Sequence, residues 1–141
     1  MATSTKKILV VDDEDDIRVY LSRLFQENGF LVNCASNVEE ALLAVEKERP
    51  DLITLDVSMP EASGGKFYRD VKSRPELSSI PIVFVTGVTG PGGSRDTEHF
   101  YGSRSHLPPP DGFIAKPIDR EEIIALAKKL TGGAAAGASA N

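Results

Sequence analysis

The residues able to do chemistry in this chain stand at the ends of short apolar runs. Ile8-Leu9-Val10-Val11 leads into Asp12-Asp13, and Leu52-Ile53-Thr54-Leu55 leads into Asp56. Ile82-Val83-Phe84-Val85 ends on Thr86, and Phe113-Ile114-Ala115 ends on Lys116-Pro117. Runs of this length, rich in Val and Ile and separated by helical patterns, predict buried parallel strands. In an open parallel sheet, ligand chemistry gathers outside the carboxyl ends of the strands. If the runs are neighbours, carboxylates, a hydroxyl and an ammonium converge on one edge. Asp12, Asp13 and Asp56 packed together need a compensating cation. Carboxylate oxygens with no His or Cys close in sequence favour Mg²⁺ over a transition metal. A carboxylate beside such a cation can take up a phosphoryl group as a mixed anhydride. The plainer reading of Asp12-Asp13-Glu14-Asp15-Asp16 is a helix N-terminus whose acids favour the helix dipole. Asp56, Thr86 and Lys116 together outweigh it.

Those runs must be positioned by what lies between them. Strand and helix patterns alternate five times along the chain, which predicts a doubly wound α/β fold with helices on both faces of the sheet. Ile17, Leu21, Leu24 and Phe25 mark one face of a first helix, and Gly29 stands where a C-cap belongs. Leu31-Val32-Asn33-Cys34-Ala35 reads as a second strand, with Cys34 as a small apolar core residue. Ser36 with Glu39 has the spacing of a capping box, opening a helix whose apolar face is Val38, Ala41, Leu42 and Val45. Phe67 and Val71 belong to a third helix, ended by Arg74-Pro75. Asp119 with Glu122 opens the last, which presents Ile123, Ala127 and Leu130. Tyr20 and Tyr68 read as helix-surface or packing aromatics. Two segments break the alternation. Residues 87–112 are rich in Gly, Pro and Ser where a crossover helix belongs; Arg95 to Tyr101 has room for a short helix, and Pro108-Pro109-Pro110 is extended. Residues 132–141 are a Gly/Ala-rich, flexible tail or linker stub, so the domain proper is expected over 1–131.

At 141 residues the chain has one domain's worth of sequence. Its net charge of −5 disfavours direct nucleic-acid binding or an anionic membrane surface. A single cysteine excludes an intramolecular disulfide and fits a reducing compartment. No apolar stretch reaches membrane-spanning length, and Met1 to Lys7 has no signal-type segment, so the expected setting is cytoplasmic.

Asp56-Val57-Ser58-Met59-Pro60, with Gly64 beyond it, is the decisive match. With Val11-Asp12-Asp13 and Phe113-Ile114-Ala115-Lys116-Pro117, it resembles the receiver domain of two-component response regulators over roughly Lys6 to Leu130. The resemblance implies a flavodoxin-like, five-stranded parallel sheet in order 2-1-3-4-5. It implies that Asp56 takes a phosphoryl group from a phosphohistidine on a sensor histidine kinase or phosphotransfer protein. Asp13, Asp56 and the backbone carbonyl of Ser58 would bind Mg²⁺ directly, with Asp12 acting mainly through water. Lys116 would pair with one phosphoryl oxygen and Thr86 would hydrogen-bond another. Phe113 takes the place of the family's switch aromatic, and the Lys116–Pro117 bond would be cis. The function implied is a phosphorylation-controlled switch that binds a downstream effector protein or domain, with a possible homodimer. Its only chemistry would be assistance to its own phosphorylation and dephosphorylation.

The chain also departs from the family pattern. The stretch between Thr86 and Lys116 is long, and Asp111-Gly112 replaces the usual Gly-Ala pair before the last strand. Phe113 has no hydroxyl, so a tyrosine-type hydrogen bond from the switch position is excluded. Ser58 and Val88, at positions that tune dephosphorylation, carry neither carboxylate nor amide, which implies a long-lived phosphoryl state. A magnesium-dependent phosphatase of the haloacid dehalogenase type needs an acid where Ser58 stands. The other alternative is a phosphorylation-independent binding module on the same scaffold. Gly87 to Ser94 has P-loop spacing with Gly93 where lysine is required, which makes it a plain loop. His99 and His106 lack the further ligands of a metal site and read as surface residues.

Overall fold

The computed structural model describes residues 5–56, 63–86 and 110–132. Over these the chain runs β1 (Lys7–Val11), α1 (Asp15–Glu27), β2 (Leu31–Ala35), α2 (Val38–Lys47), β3 (Leu52–Asp56), α3 (Ser63–Lys72), β4 (Ile82–Thr86), β5 (Gly112–Ala115) and α4 (Arg120–Thr131). The strands form one five-stranded parallel sheet in order β2-β1-β3-β4-β5.

Strand periodicity divides the core in two. Leu9, Val11, Ile53, Leu55, Ile82 and Phe84 face α2 and α3, where they meet Ala41, Val45, Phe67, Tyr68 and Val71. Ile8, Val10, Leu52, Val83, Val85 and Ile114 face α1 and α4, against Leu21, Leu24, Phe25, Ile123 and Ala127. β3 is buried at every position, as a central parallel strand covered on both sides must be. Tyr68 is a packing aromatic, fully buried with its ring edge-on to Phe84 at 5.1 Å. Tyr20 is 38% exposed.

The helix ends follow from side chains close in sequence. α1 stops in a Schellman motif: Phe30 N–H donates to Phe25 O and Gly29 N–H to Gln26 O, both at 3.1 Å. Gly29 takes φ +92°, and Phe30 packs edge-on against Phe25 at 5.9 Å. Asp119 caps α4 by accepting from the Glu121 and Glu122 amides at 2.9 and 3.1 Å. Asp111 clamps β5 to the start of β4, its amide donating to Ile82 O and its carboxylate accepting from Ile82 N–H. That contact is the local use of the Asp111-Gly112 departure.

Two expectations are corrected. The capping residue of α2 is Asn37, which accepts from Glu40 N–H at 2.8 Å, and not Ser36 with Glu39. The returning carboxylate is Glu40, which accepts from both the amide and the hydroxyl of Ser36. Cys34 is not a core residue: it is exposed, with Sγ 2.9 Å from Ser22 Oγ. β2 is an edge strand, and Ala35 is its only buried residue. The readings of residues 87–109 and 133–141 lie outside the described residues.

Candidate functional site

Parallel strands bring their carboxyl ends to one edge, and the register fixes which residues meet there. Val11 pairs with Ala35 and Leu55, Asp56 with Val85, and Thr86 with Ala115. Asp12 continues β1 by one rung, its amide donating to Ala35 O at 3.1 Å. Its Oδ1 accepts from Glu14 N–H at 2.9 Å, and the residue is 1% exposed. Asp13, next in the chain, is exposed. Asp56 closes β3 and is 2% exposed. Carboxylate oxygens of Asp12, Asp13 and Asp56 all lie within 4.8 Å of one another.

Lys116 follows β5, held by its amide donating to Thr86 O at 2.8 Å. Its Nζ lies 3.4 Å from Asp12 Oδ2, 3.4 Å from Asp56 Oδ2 and 3.8 Å from Glu14 Oε1. The peptide bond between Lys116 and Pro117 is cis.

Charge is crowded on this edge. Burial raises the Asp12 carboxyl from 3.8 to about 6; the Glu14 amide works against the rise, and the Asp56 carboxylate adds to it. Burial also acts against the charged form of Lys116, but Asp56, Asp12 and Glu14 outweigh it and lift the ammonium above its ordinary value. Lys116 is therefore a fixed cation at neutral pH. A single ammonium shared by several carboxylates leaves net negative charge, and the hard oxygens that carry it suit a magnesium-like ion.

The fold thus brings Asp12, Asp13, Asp56 and Lys116 together and sets Thr86 on the same edge. Phe113 sits three residues before Lys116, 48% exposed, with its ring edge-on to Phe84 at 5.8 Å. Ser58 and Val88 lie outside the described residues. Two participants carry no motif of their own. Glu14 reaches Lys116, and Arg18 donates from Nη1 to the Asp12 carbonyl oxygen at 2.6 Å. Both contacts arise from the way the first turn of α1 folds back over the end of β1.

A parallel sheet whose carboxyl edge gathers buried aspartates around a lysine has the architecture of the receiver class. The chain belongs to the response regulator receiver domain family, whose pattern matches residues 8–128. It is 31% identical over 120 residues to Protein Rrf1 of Nitratidesulfovibrio vulgaris, covering 85% of this chain and 78% of that protein. It is 29% identical to Response regulator Rre1 of Synechocystis, covering 87% of this chain but only half, 50%, of that protein. The solved structure of the chemotaxis response regulator CheY4 of Vibrio cholerae superposes with a TM-score of 0.73 at 28% identity, covering 90% of this chain and 99% of that one. The chain is a receiver of two-component signalling, and its family is a signalling family rather than a catalytic one. Receiver domains bind Mg²⁺ at an acidic pocket, and Asp12, Asp13 and Asp56 form an acidic cluster on this edge. Among the described residues no helix is long and apolar enough to cross a membrane.

Proposed function

We propose that Asp56 is the phosphoacceptor and that its phosphorylation is the input to a protein-binding switch. The observation that carries this reading is the Asp56 carboxylate, buried at a strand end within 4.8 Å of two further aspartates and 3.4 Å from a lysine ammonium. In the transfer, an Asp56 oxygen forms a P–O bond as the P–N bond of a donor phosphohistidine breaks, leaving an aspartyl phosphate and a free imidazole. Phosphoryl transfer of this kind asks for positioning and charge neutralisation more than for acid–base chemistry. Lys116 is held where it can follow the new charge, exchanging a carboxylate oxygen for a phosphoryl oxygen. Thr86 offers a hydroxyl from the next strand end.

Asp12 and Asp13, with Asp56, would hold Mg²⁺, joined by the carbonyl of Ser58. A bound Mg²⁺ supplies positive charge to the carboxylates and to the transferring phosphoryl group. Phe113 would act as the switch residue, its half-exposed ring changing place as Thr86 is drawn toward the phosphoryl group. Such a change shifts a pre-existing equilibrium between two conformations. The donor would be a sensor histidine kinase or phosphotransfer protein, and the reader a downstream effector.

The test is intact-mass spectrometry after incubation with acetyl phosphate, with and without Mg²⁺, on wild type and Asp56→Asn. One Mg²⁺-dependent phosphoryl adduct, absent from the variant and labile to base, is the expected result. A folded wild type that takes no adduct would instead support a phosphorylation-independent binding module.

A further inference from the structure

We infer that Arg18 is a positioning residue for the cation site, acting through the peptide that joins Asp12 to Asp13. The inference rests on the reading of these aspartates as the Mg²⁺ ligands. Arg18 lies one turn into α1, its side chain 18% exposed. Nη1 donates to the Asp12 carbonyl oxygen at 2.6 Å, while Nη2 is paired with the Asp15 carboxylate three residues back. The guanidinium is planar, so fixing one nitrogen on Asp15 fixes the direction of the other.

The bonded oxygen has a consequence one residue on. The Asp12 carbonyl and the Asp13 amide share one planar unit, so holding the oxygen sets the plane from which Asp13 departs. Asp12 is held elsewhere too, through Ala35 O and the Glu14 amide. Among the described residues no hydrogen bond holds the Asp13 carboxylate itself. Its aim toward Asp12 and Asp56 therefore depends on the backbone, which Arg18 holds on the Asp12 side and the Asp12 carboxylate holds at the Glu14 amide. Simple charge predicts the reverse effect: a guanidinium beside a cation site repels the cation. Removing it should tighten Mg²⁺ if charge is its whole effect, and weaken Mg²⁺ if positioning dominates.

The experiment is calorimetric titration of the full chain with MgCl₂ at neutral pH, alongside thermal melts. Arg18→Met keeps the apolar stem and removes both donors; its Mg²⁺ dissociation constant should rise about tenfold, as loss of an outer-shell partner typically does. Arg18→Lys should recover part of the affinity, because one ammonium can reach either acceptor but not orient both. The Asp13 backbone amide resonance should move in Arg18→Met before metal is added. Where Arg18→Met folds poorly, Asp15→Asn releases the guanidinium from its anchor, and Asp16→Asn makes the same charge change on the same turn. Asp15→Asn should weaken Mg²⁺ more than Asp16→Asn. Equal or tighter binding by folded Arg18→Met, or equal effects of the two carboxylate variants, overturns the role of Arg18 while leaving the cation site standing. A wild type that does not bind Mg²⁺ removes the cation site and, with it, this inference.

Discussion

At the scale of single residues, burial and a neighbouring carboxylate act on Asp12 in the same direction. Its carboxyl titrates near 6 in the folded chain against 3.8 for the unperturbed group. A carboxyl whose folded value is raised binds its proton more tightly when folded. Its contribution to stability is thus fully present below about 4 and lost as pH rises through 6. In metal-free buffer, the stability of wild type relative to Asp12→Asn should fall by roughly 1 to 3 kcal/mol over that window, one pKa unit being about 1.4 kcal/mol. Urea melts at pH 4 and pH 7 read the difference. A gap that does not change between them would mean that folding leaves the proton affinity of Asp12 unaltered. The acids and the lysine were legible in the sequence because each stands directly after an apolar run, and run ends in a parallel sheet share an edge. Glu14 and Arg18 were not, because their contacts depend on how the first turn of α1 folds back over the end of β1. No spacing rule encodes that geometry.

At the scale of elements, local chemistry fixed the ends well where one candidate cap was present and poorly where two competed. Ser36-Glu39 and Asn37-Glu40 have the same three-residue spacing. Only the built helix, opening at Val38, selects the second. For α4 there was no such ambiguity. Asp119 accepts from two amides of the first turn, so Asp119→Ala should cost about 1 kcal/mol. That corresponds to a drop of about 3 °C in the thermal midpoint for a domain of this size. Mg²⁺ affinity should stay at the wild-type value, because the cap lies outside the carboxylate set. A variant that melts with wild type would show that another group takes over the two amides. Cys34 failed for a reason that also belongs to elements. An apolar-looking five-residue run was read as buried, yet burial of a strand depends on its place in the sheet. β2 has a neighbour on one side only, and Leu31, Asn33 and Cys34 are exposed along it.

At the scale of the whole molecule, the site exists only when the sheet does. Asp12 and Asp13 follow β1, Asp56 ends β3, and Lys116 follows β5, so ligands far apart in sequence meet through strand order alone. The unfolded chain has no comparable cluster, and an ion that binds only the folded state stabilises it by mass action. At a hundred times its dissociation constant, Mg²⁺ should add about 2.7 kcal/mol, a rise of about 6 to 10 °C in the thermal midpoint. Asp13 offers the cleanest control, because it is the exposed member of the cluster and its loss should leave the core intact. Asp13→Asn should melt close to wild type in chelator and gain little on adding Mg²⁺. Scanning calorimetry across a Mg²⁺ series measures both. An undiminished rise in Asp13→Asn would place the ion elsewhere on the molecule, because a ligand can couple to folding only through the groups it touches.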